Sequence, residues 1–543
     1  MRAEYVVVGG GPCGAIAAAA AAQFGKSVIV IDAGCALDDA RKSAIAKLSM
    51  QLPEEWDAAT LSTVSHRAQP GDGLGQKLWF GSDLPYRPPA GLSIDNDGVG
   101  TCLGFSQGGL SSVWGATMLP YAAEDIMAWP REVRDDLPAA YAQVSQRVPV
   151  SGRSDPLEPY YPFHGPRLPA LRLSSVAAHI YERSLATERQ NSRRPNAVTG
   201  QARLALRSGQ SAPWLGCVYC ARCLEGCVYG HIWSSDQLLN TLQQSSRVRV
   251  IRGYVMSISE DGPKVRADVE LADSTGRLRI EGQRLFVAAG AVGTAALLQR
   301  SRLANGPVLL SDSQTTFLPM ALLAGPAASD AEPSYSLSQL FVRLPSTDAR
   351  DTSQLQLYTY NYTLPERARV TNRLVGRIPL PVVKALMRRV VVGIGYLSSG
   401  NSGKIEVRSL NAGRTLQLRP VGWEEARESV RAWMRGLYRY LLPLDLFPVP
   451  ALADITLPGG GFHIGASLPM CQGSGSQMMS SDQLGRPFGM QLTHVVDSSV
   501  LPTIPAGPIT YTAMANAWRI VARSVTLPLQ AAEGTHHSEQ AAR

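Results

Sequence analysis

Residues 4–32 read EYVVVGGGPCGAIAAAAAAQFGKSVIVID, and the order of parts in this stretch decides the fold. Glu4 to Val8 is an apolar, β-branched run that ends at glycines, the pattern of a buried strand. Gly9, Gly11 and Gly14 carry the G-x-G-x-x-G spacing. An Ala-rich helix is predicted from Ala15 to Phe24, closed by Gly25, and a second strand from Ser27 to Ile31 runs into Asp32. Each part has a physical task. Gly9 permits the tight turn, Gly11 lets the main chain approach a pyrophosphate, and Gly14 lets helix and strand pack closely. The helix N-terminus presents unpaired amides and the positive end of its dipole to phosphates. Asp32, 18 residues after Gly14, is placed to accept hydrogen bonds from a ribose diol. A glycine triplet alone is a weak signal. Strand, glycines, helix, strand and acid in that order predict a dinucleotide-binding βαβ unit.

The 543-residue chain is long enough for two or more domains with a large core. Its hydrophobic content of 45% and charged content of 18% are those of an ordinary globular protein. The net charge of +8 is dispersed, without a Lys/Arg run, so no nucleic-acid partner is expected. A weakly basic soluble enzyme fits this charge, and so does one that meets an anionic substrate or an anionic membrane surface. No apolar stretch reaches the ~18 residues of a membrane-spanning helix. The N-terminus already reads as a strand, so no signal peptide is expected. The expected location is cytoplasmic, with membrane contact at most peripheral.

Outside the βαβ unit the sequence resembles flavoproteins more than nicotinamide enzymes. Leu285 to Ala289 runs into Gly290 and resembles the return strand that passes beneath FAD. Arg252 to Ile258 resembles the strand whose backbone, near Val255, meets adenine in such folds. Three more segments resemble the glucose–methanol–choline (GMC) oxidoreductase family. Gly108 to Gly115 (GGLSSVWG) is similar to the loop that lies against the flavin ring, where glycines let main-chain atoms approach a flat ring system. Glu124 to Pro130 (EDIMAWP) is similar to an acid–Trp–Pro segment of many members. Residues 462–522, with FHIGASLPM, VVDSSVLPTIP and TYTAMANAWRI, are similar to the C-terminal block.

The resemblance implies an α/β fold: an FAD-binding Rossmann-type domain and a second α+β substrate domain built on an antiparallel sheet. The cofactor domain is expected to be discontinuous, over 1–130, 200–310 and 460–530. The substrate or cap domain takes 131–199 and 311–459, and 531–543 forms a disordered tail. The resemblance also places Gly108, Gly109 and Ser111 against the flavin, Gly290 beneath it, and Asp497 near the ribityl chain and pyrophosphate. Asp497 also reads as a turn residue after the strand His494–Val496. Thr510 and Thr512 would open a helix under the flavin.

Oxidising an alcohol removes a proton from oxygen and a hydride from carbon. Flavin N5 takes the hydride, and a side chain titrating near neutrality takes the proton. His463 is the candidate base: it precedes Met470 by seven residues, as in the family, and follows the Gly459-Gly460-Gly461 run. A histidine buried for packing is the alternative. The sequence departs from the family elsewhere. The position of a second His or Asn falls on Ala506, which cannot hydrogen-bond through its side chain, and the family's glycine three residues after the His is Ala466. Tyr511, or a residue from the unmatched region, would have to fill the role.

Cys217, Cys220, Cys223 and Cys227 crowd into eleven residues with the C-x-x-C-x-x-C-x-x-x-C spacing of bacterial ferredoxins. Val228 stands where those proteins have Pro, and there is a single run. A cubane iron–sulfur cluster would therefore draw a remote fourth ligand such as Cys102 or Cys471; a three-iron cluster needs only three. Zinc and an unmetallated loop stay open beside the cluster.

Strand-like runs at Gln354–Tyr360, Val390–Tyr396 and Lys404–Val407 predict an antiparallel substrate sheet. Arg373–Arg389 and Trp433–Leu446 read as basic amphipathic stretches, either core-facing helices or surfaces for a membrane or lipid-like substrate. The combined expectation is an FAD-dependent oxidoreductase oxidising a CH–OH group of a small alcohol or sugar-like substrate. Electrons would pass to a non-oxygen acceptor, a protein or quinone. A flavin-dependent isomerase without net redox change is the alternative, motivated by Ala506, and a subunit that holds FAD without turnover is a third.

Overall fold

The apolar run at the N-terminus is the centre of a seven-stranded sheet. Tyr5–Val8 pairs in parallel with Val28–Asp32 on one side and with Arg284–Val287 on the other. Thr493–Val495 extends the parallel part beyond Arg284–Val287, and Val248–Asp261 extends it beyond Val28–Asp32. The 14-residue strand Val248–Asp261 changes partner along its length. Its first half lies parallel to Val28–Asp32, and after a bulge between Val255 and Ser257 it forms an antiparallel meander with Lys264–Leu271 and Arg277–Gly282. The computed structural model describes residues 1–65, 79–100, 103–190, 197–209, 215–272, 276–345, 352–365, 369, 373–471 and 479–528. The expected tail at 531–543 lies outside them.

The helix of the opening unit runs from Pro12 to Gln23, three residues earlier than its Ala-rich core suggests, because Pro at the first turn needs no amide partner. Alanines from Ala15 to Ala21 are buried on every side of this helix. Their small side chains let helix Thr510–Val525 pack against it, and that second helix in turn meets Arg131–Ser145. Gly25, with φ +77°, closes the first helix as read from the sequence.

A second sheet is antiparallel throughout, in the order Leu446–Pro448, Thr315–Leu322, Val390–Tyr396, Ser353–Tyr358, Leu340–Leu344, Val198–Gln201. One of its faces packs on helices Ser175–Gln190 and Trp423–Gly436 through Leu318, Met320, Leu355, Leu357 and Val391. The strands expected at Gln354–Tyr360 and Val390–Tyr396 are thus neighbours. Lys404–Val407 differs. It continues to Leu410 and joins a third sheet with Val308–Asp312, Thr415–Val421, Ser93–Asn96 and Ile464–Gly465. Ile405, Val407, Leu416 and Leu418 bury with the first core, so 311–459 contributes to both cores rather than to one. Val198–Gln201 likewise pairs with the antiparallel sheet.

The two basic stretches resolve into short pieces. Arg373–Gly376 and Leu380–Met387 are separate helices; Pro379 caps the second and Pro381 sits in its first turn. Trp433–Leu446 covers the end of helix Trp423–Gly436, a turn at Tyr438–Leu441 and a 3₁₀ turn. Met434, Leu437, Leu441, Leu444 and Leu446 from this region are buried in the second core, which makes its apolar stripe a packing face. Among the described residues no helix is long and apolar enough to cross a membrane.

Candidate functional site

A cavity of about 520 Å³ runs between the parallel sheet and the antiparallel one. Gly9, Gly11, Asp32, Gly109, Ser111, Val255, Gly290, His463 and Asp497 all line it. Of the residues singled out from sequence for the cofactor and the base, only Gly14 and Gly108 stand behind its wall.

The glycines separate into two kinds. A Cβ on Gly9 would lie 2.2 Å from the Ala288 carbonyl oxygen, and one on Gly14 would lie 1.9 Å from the Gly9 carbonyl oxygen. These two are needed for packing. Gly11 and Gly290 have nothing within 4 Å of a built Cβ, and both line the cavity. They cap helices Pro12–Gln23 and Ala291–Arg300. Ile509 caps the helix Thr510–Val525 at the same cavity. Three helix N-termini therefore meet the cavity, each with unpaired amides and a positive dipole end, an arrangement suited to phosphates.

Asp32 is 7% exposed. Its Oδ1 accepts from the Gly34 amide at 2.6 Å, while Oδ2 is buried without a hydrogen-bond partner. Burial pushes its pKa up to about 6, against the pull of the Gly34, Gly10 and Gly108 amides. An unsatisfied carboxylate oxygen in a cavity wall is a site for a donor such as a ribose hydroxyl. Nearby, Arg300 donates to the carbonyls of Val255 and Met256, and its guanidinium lies over the Tyr254 ring. Asp497 lines the cavity but both its oxygens are engaged, with the Thr294 hydroxyl at 2.5 Å and the Ser499 amide at 2.9 Å. It caps the turn Ser498–Val500, so the turn role read for it is present in the fold.

Gly108 and Gly109 have φ of +80° and +59°, which lets the loop fold into the 3₁₀ turn Gly109–Ser112. Ser235 locks that loop to the first one. Its hydroxyl donates to the carbonyls of Gly10 and Gly108, and its amide donates to Ser111 Oγ at 3.0 Å.

His463 sits at the other end. Its ring stacks on Tyr396, and its Nδ1 is buried without a partner. Burial lowers its pKa to about 4, so the imidazole is neutral at pH 7. Its loop is pinned twice: Asp312 Oδ2 accepts from the Gly459 amide at 2.9 Å, and the Ser313 amide donates to the His463 carbonyl at 3.0 Å. Ala466 adopts φ +51°, the left-handed region where a glycine would be unstrained. His494, read as a strand residue, is stacked on Phe286 and bonded to the Leu484 carbonyl.

Tyr511 does not replace the partner missing at Ala506. Its hydroxyl engages Ser145 Oγ at 2.5 Å and donates to the Tyr141 carbonyl at 3.0 Å, on the far side of its helix. Thr512 points the same way, bonded to Tyr141, while Thr510 lines the cavity. The hydroxyls near His463 come from the unmatched region instead. Tyr358, whose hydroxyl donates to Gln356 Oε1 at 3.2 Å, and Tyr396 both line the cavity. Polar and aromatic residues two apart in 354–358 were the available signal for that wall, because alternate residues of a strand share a face.

The cysteine run folds beside the loop Gly108–Gly115. Leu224 lines the cavity, and a Cβ on Gly226 would approach the Ser112 carbonyl oxygen at 3.5 Å. Burial and then the neighbouring thiols raise the pKa values of Cys217 and Cys220. Burial raises Cys223 to about 11 and also raises Cys227. Among the described residues, however, no three His, Cys, Asp or Glu side chains are arranged to hold a metal ion. The described residues therefore give no support to the ferredoxin-type expectation for Cys217, Cys220, Cys223 and Cys227. Cys102 lies outside the described residues, and Cys471 meets the Ser481 carbonyl.

The fold is similar to that of pyridoxine 4-oxidase from Mesorbium loti, with a TM-score of 0.58 over 96% of this chain and 98% of that one. Sequence identity is 14%, so the likeness is one of fold. No protein-family profile matches the sequence, and no curated protein matches it.

Proposed function

We propose that the protein is an FAD-dependent oxidoreductase of GMC type that oxidises a CH–OH group, with His463 as the base. The observation that carries this reading is the continuity of one cavity from Asp32, Gly11 and Gly290 to the neutral imidazole of His463. The residues present suit the cofactor: Asp32 Oδ2 lacks a donor, and Gly11 and Gly290 leave open space at two helix N-termini. FAD, when bound, supplies the hydride acceptor.

The chain's own groups do the rest. The amides opening helices Pro12–Gln23 and Ala291–Arg300 would hold the pyrophosphate, those opening Thr510–Val525 would lie against the flavin, and Asp32 would accept from the ribose. His463 takes the alcohol proton, held in its neutral form by burial. Tyr396 and the Asp312-anchored loop fix the ring's orientation. Ala506 supplies no side-chain hydrogen bond, and Tyr358 and Gln356 bring a hydroxyl and an amide to the cavity wall, which favours oxidation over the isomerase alternative. The expectation of a dedicated non-oxygen acceptor rested on the cysteine run, and the reading no longer includes one.

The test is anaerobic mixing of purified protein with alcohols while the flavin absorbance is followed. Bleaching by an alcohol supports the reading. A folded protein that carries no FAD, or FAD that no alcohol bleaches, overturns it.

A further inference from the structure

The His463 end of the cavity has no fixed charge among the described residues. Asp32 and Arg300 belong to the nucleotide end, and Asp497 is engaged by Thr294 and Ser499. His463 is neutral, and burial raises the pKa values of Tyr358 and Tyr396.

The wall facing a bound molecule is one face of three adjacent strands. Thr315 lies opposite Tyr396, and Phe317 opposite Ile394, which lies opposite Gln356 on its other side. Tyr358 follows two residues after Gln356. Its polar groups are already partly used: the Thr315 hydroxyl donates to the Ser313 carbonyl, and the Tyr358 hydroxyl donates to Gln356. Phe317 is 38% exposed and still lines the cavity, so it marks the mouth. Beyond it the same face continues with Pro319 opposite Val392 and Ala321 opposite Val390, all half-buried and apolar.

Resting on the flavin-oxidation reading above, we infer that the substrate is a neutral alcohol carried on a hydrocarbon body, aromatic or aliphatic. A carboxylate, phosphate or ammonium would enter this wall without a partner, which is heavily disfavoured. A sugar would lose hydration of several hydroxyls where few free donors and acceptors replace it. The wall thus disfavours the sugar-like substrates, and the alcohol's hydrocarbon body would lie along Phe317 and Ile394 towards Pro319 and Val392.

The experiment compares benzyl alcohol, 4-butylbenzyl alcohol, 4-(hydroxymethyl)benzoate, 4-(aminomethyl)benzyl alcohol and glucose on the FAD-loaded protein without oxygen. The expected kcat/KM for flavin bleaching rises with the butyl chain, up to about fourfold for each CH₂ fully buried. It falls by about 10²-fold or more for both charged analogues. Ile394→Asp should raise the ratio of the ammonium analogue to benzyl alcohol, a charge-specific change that loss of packing would not produce. Ile394→Asn serves as the uncharged control and should not raise it. Preferred bleaching by glucose or by the benzoate keeps the oxidation reading and overturns this inference. Perturbation of the flavin spectrum by benzyl alcohol without bleaching keeps the inference and removes the oxidation reading. No response to benzyl alcohol or 4-butylbenzyl alcohol alongside bleaching by glucose or by a charged analogue overturns the inference.

Discussion

The imidazole of His463 lies on the ring of Tyr396, with centroids 4.7 Å apart and planes 21° from parallel. The two residues come from different sheets. Tyr396 ends a strand of the antiparallel sheet, and His463 precedes Ile464–Gly465 at the edge of the third. The stack is thus where the substrate wall orients the residue proposed as base. Asp312, whose pKa burial pushes up to about 7, holds the other end of the same loop through the Gly459 amide.

His463→Ala should slow flavin reduction by roughly 10²–10⁴-fold while FAD stays bound. The pH dependence has a definite sign. Burial sets the folded pKa at about 4, so the base is unprotonated and active above that value and is lost below it. A plateau from pH 6 to 8 is expected, falling off towards pH 4 in rapid pH-jump measurements. An acid limb centred near 6.5, the ordinary histidine value, would contradict the burial. Folding stability follows the same direction, because the unfolded chain takes up these protons first as pH falls from about 6.5. Tyr396→Phe preserves the stack and should act much like the wild type; Tyr396→Ala should lower kcat.

Gly11 and Gly14 give a matched pair of substitutions. Gly14→Ala drives a methyl to 1.9 Å from the Gly9 carbonyl oxygen, a backbone atom that cannot move away cheaply. It should destabilise the apoprotein by about 1–3 kcal/mol or more. Gly11→Ala meets nothing within 4 Å, and its φ of −66° suits any residue. Apoprotein melting should hardly change, while FAD retention drops because the methyl occupies the cavity. Equal effects of the two changes on apoprotein stability would show that the glycines do not divide in this way.

The first unit was legible because Gly9, Gly14 and the alanines of helix Pro12–Gln23 solve local packing problems. Short-range spacing is enough to show them. Asp32 was legible for the same reason, as it closes a strand whose length is set by the unit. His463 was readable only through its similarity to a family block. The wall opposite it was legible only in part: the strands show in the alternation, but the pairing that brings Gln356, Tyr358 and Tyr396 together joins residues about 34–42 apart and leaves no local mark. Ser235 and Asp312 were missed for a related reason: each acts on a main-chain group of a distant loop. The cysteine run shows the limit of spacing: it matches a known ligand pattern, but spacing along the chain does not fix where sulfurs point, and the described residues form no metal-holding group.

The four cysteines yield a prediction from burial. With Cys217, Cys220, Cys223 and Cys227 all raised, the thiols are protonated at neutral pH and poor nucleophiles. They should react slowly with a maleimide in the folded protein and rapidly in denaturant. Protein purified without oxygen should lack stoichiometric iron and acid-labile sulfide, and Cys220→Ser should leave the visible spectrum that of flavin alone. Iron and sulfide in fixed ratio to the chain would restore the cluster expectation.

Asp32 gives the sharpest separation of binding from stability, because one substitution should push the two in opposite directions. In the apoprotein its pKa is raised to about 6 from an unfolded value of 3.8. The folded chain therefore keeps a proton that the unfolded chain has lost between those values. Apoprotein stability should be highest below about pH 4 as far as this group is concerned, and should decline as pH rises to 6. The penalty above that pH is on the order of 3 kcal/mol. Asp32→Asn removes the buried charge, so the apoprotein should melt higher than wild type at pH 7.5. FAD affinity should move the other way, weakening by about 1.5–3 kcal/mol, roughly 10- to 150-fold, as the charge-assisted ribose hydrogen bonds are lost. Wild-type affinity should also strengthen with pH through 6 as Oδ2 loses its proton, and the Asn variant should lack that dependence. Melting curves of apo and FAD-loaded protein across pH 5–8 measure both quantities. An Asn variant that binds FAD as tightly as wild type would mean that Asp32 shapes the loop at Gly34 and does not hold the ribose.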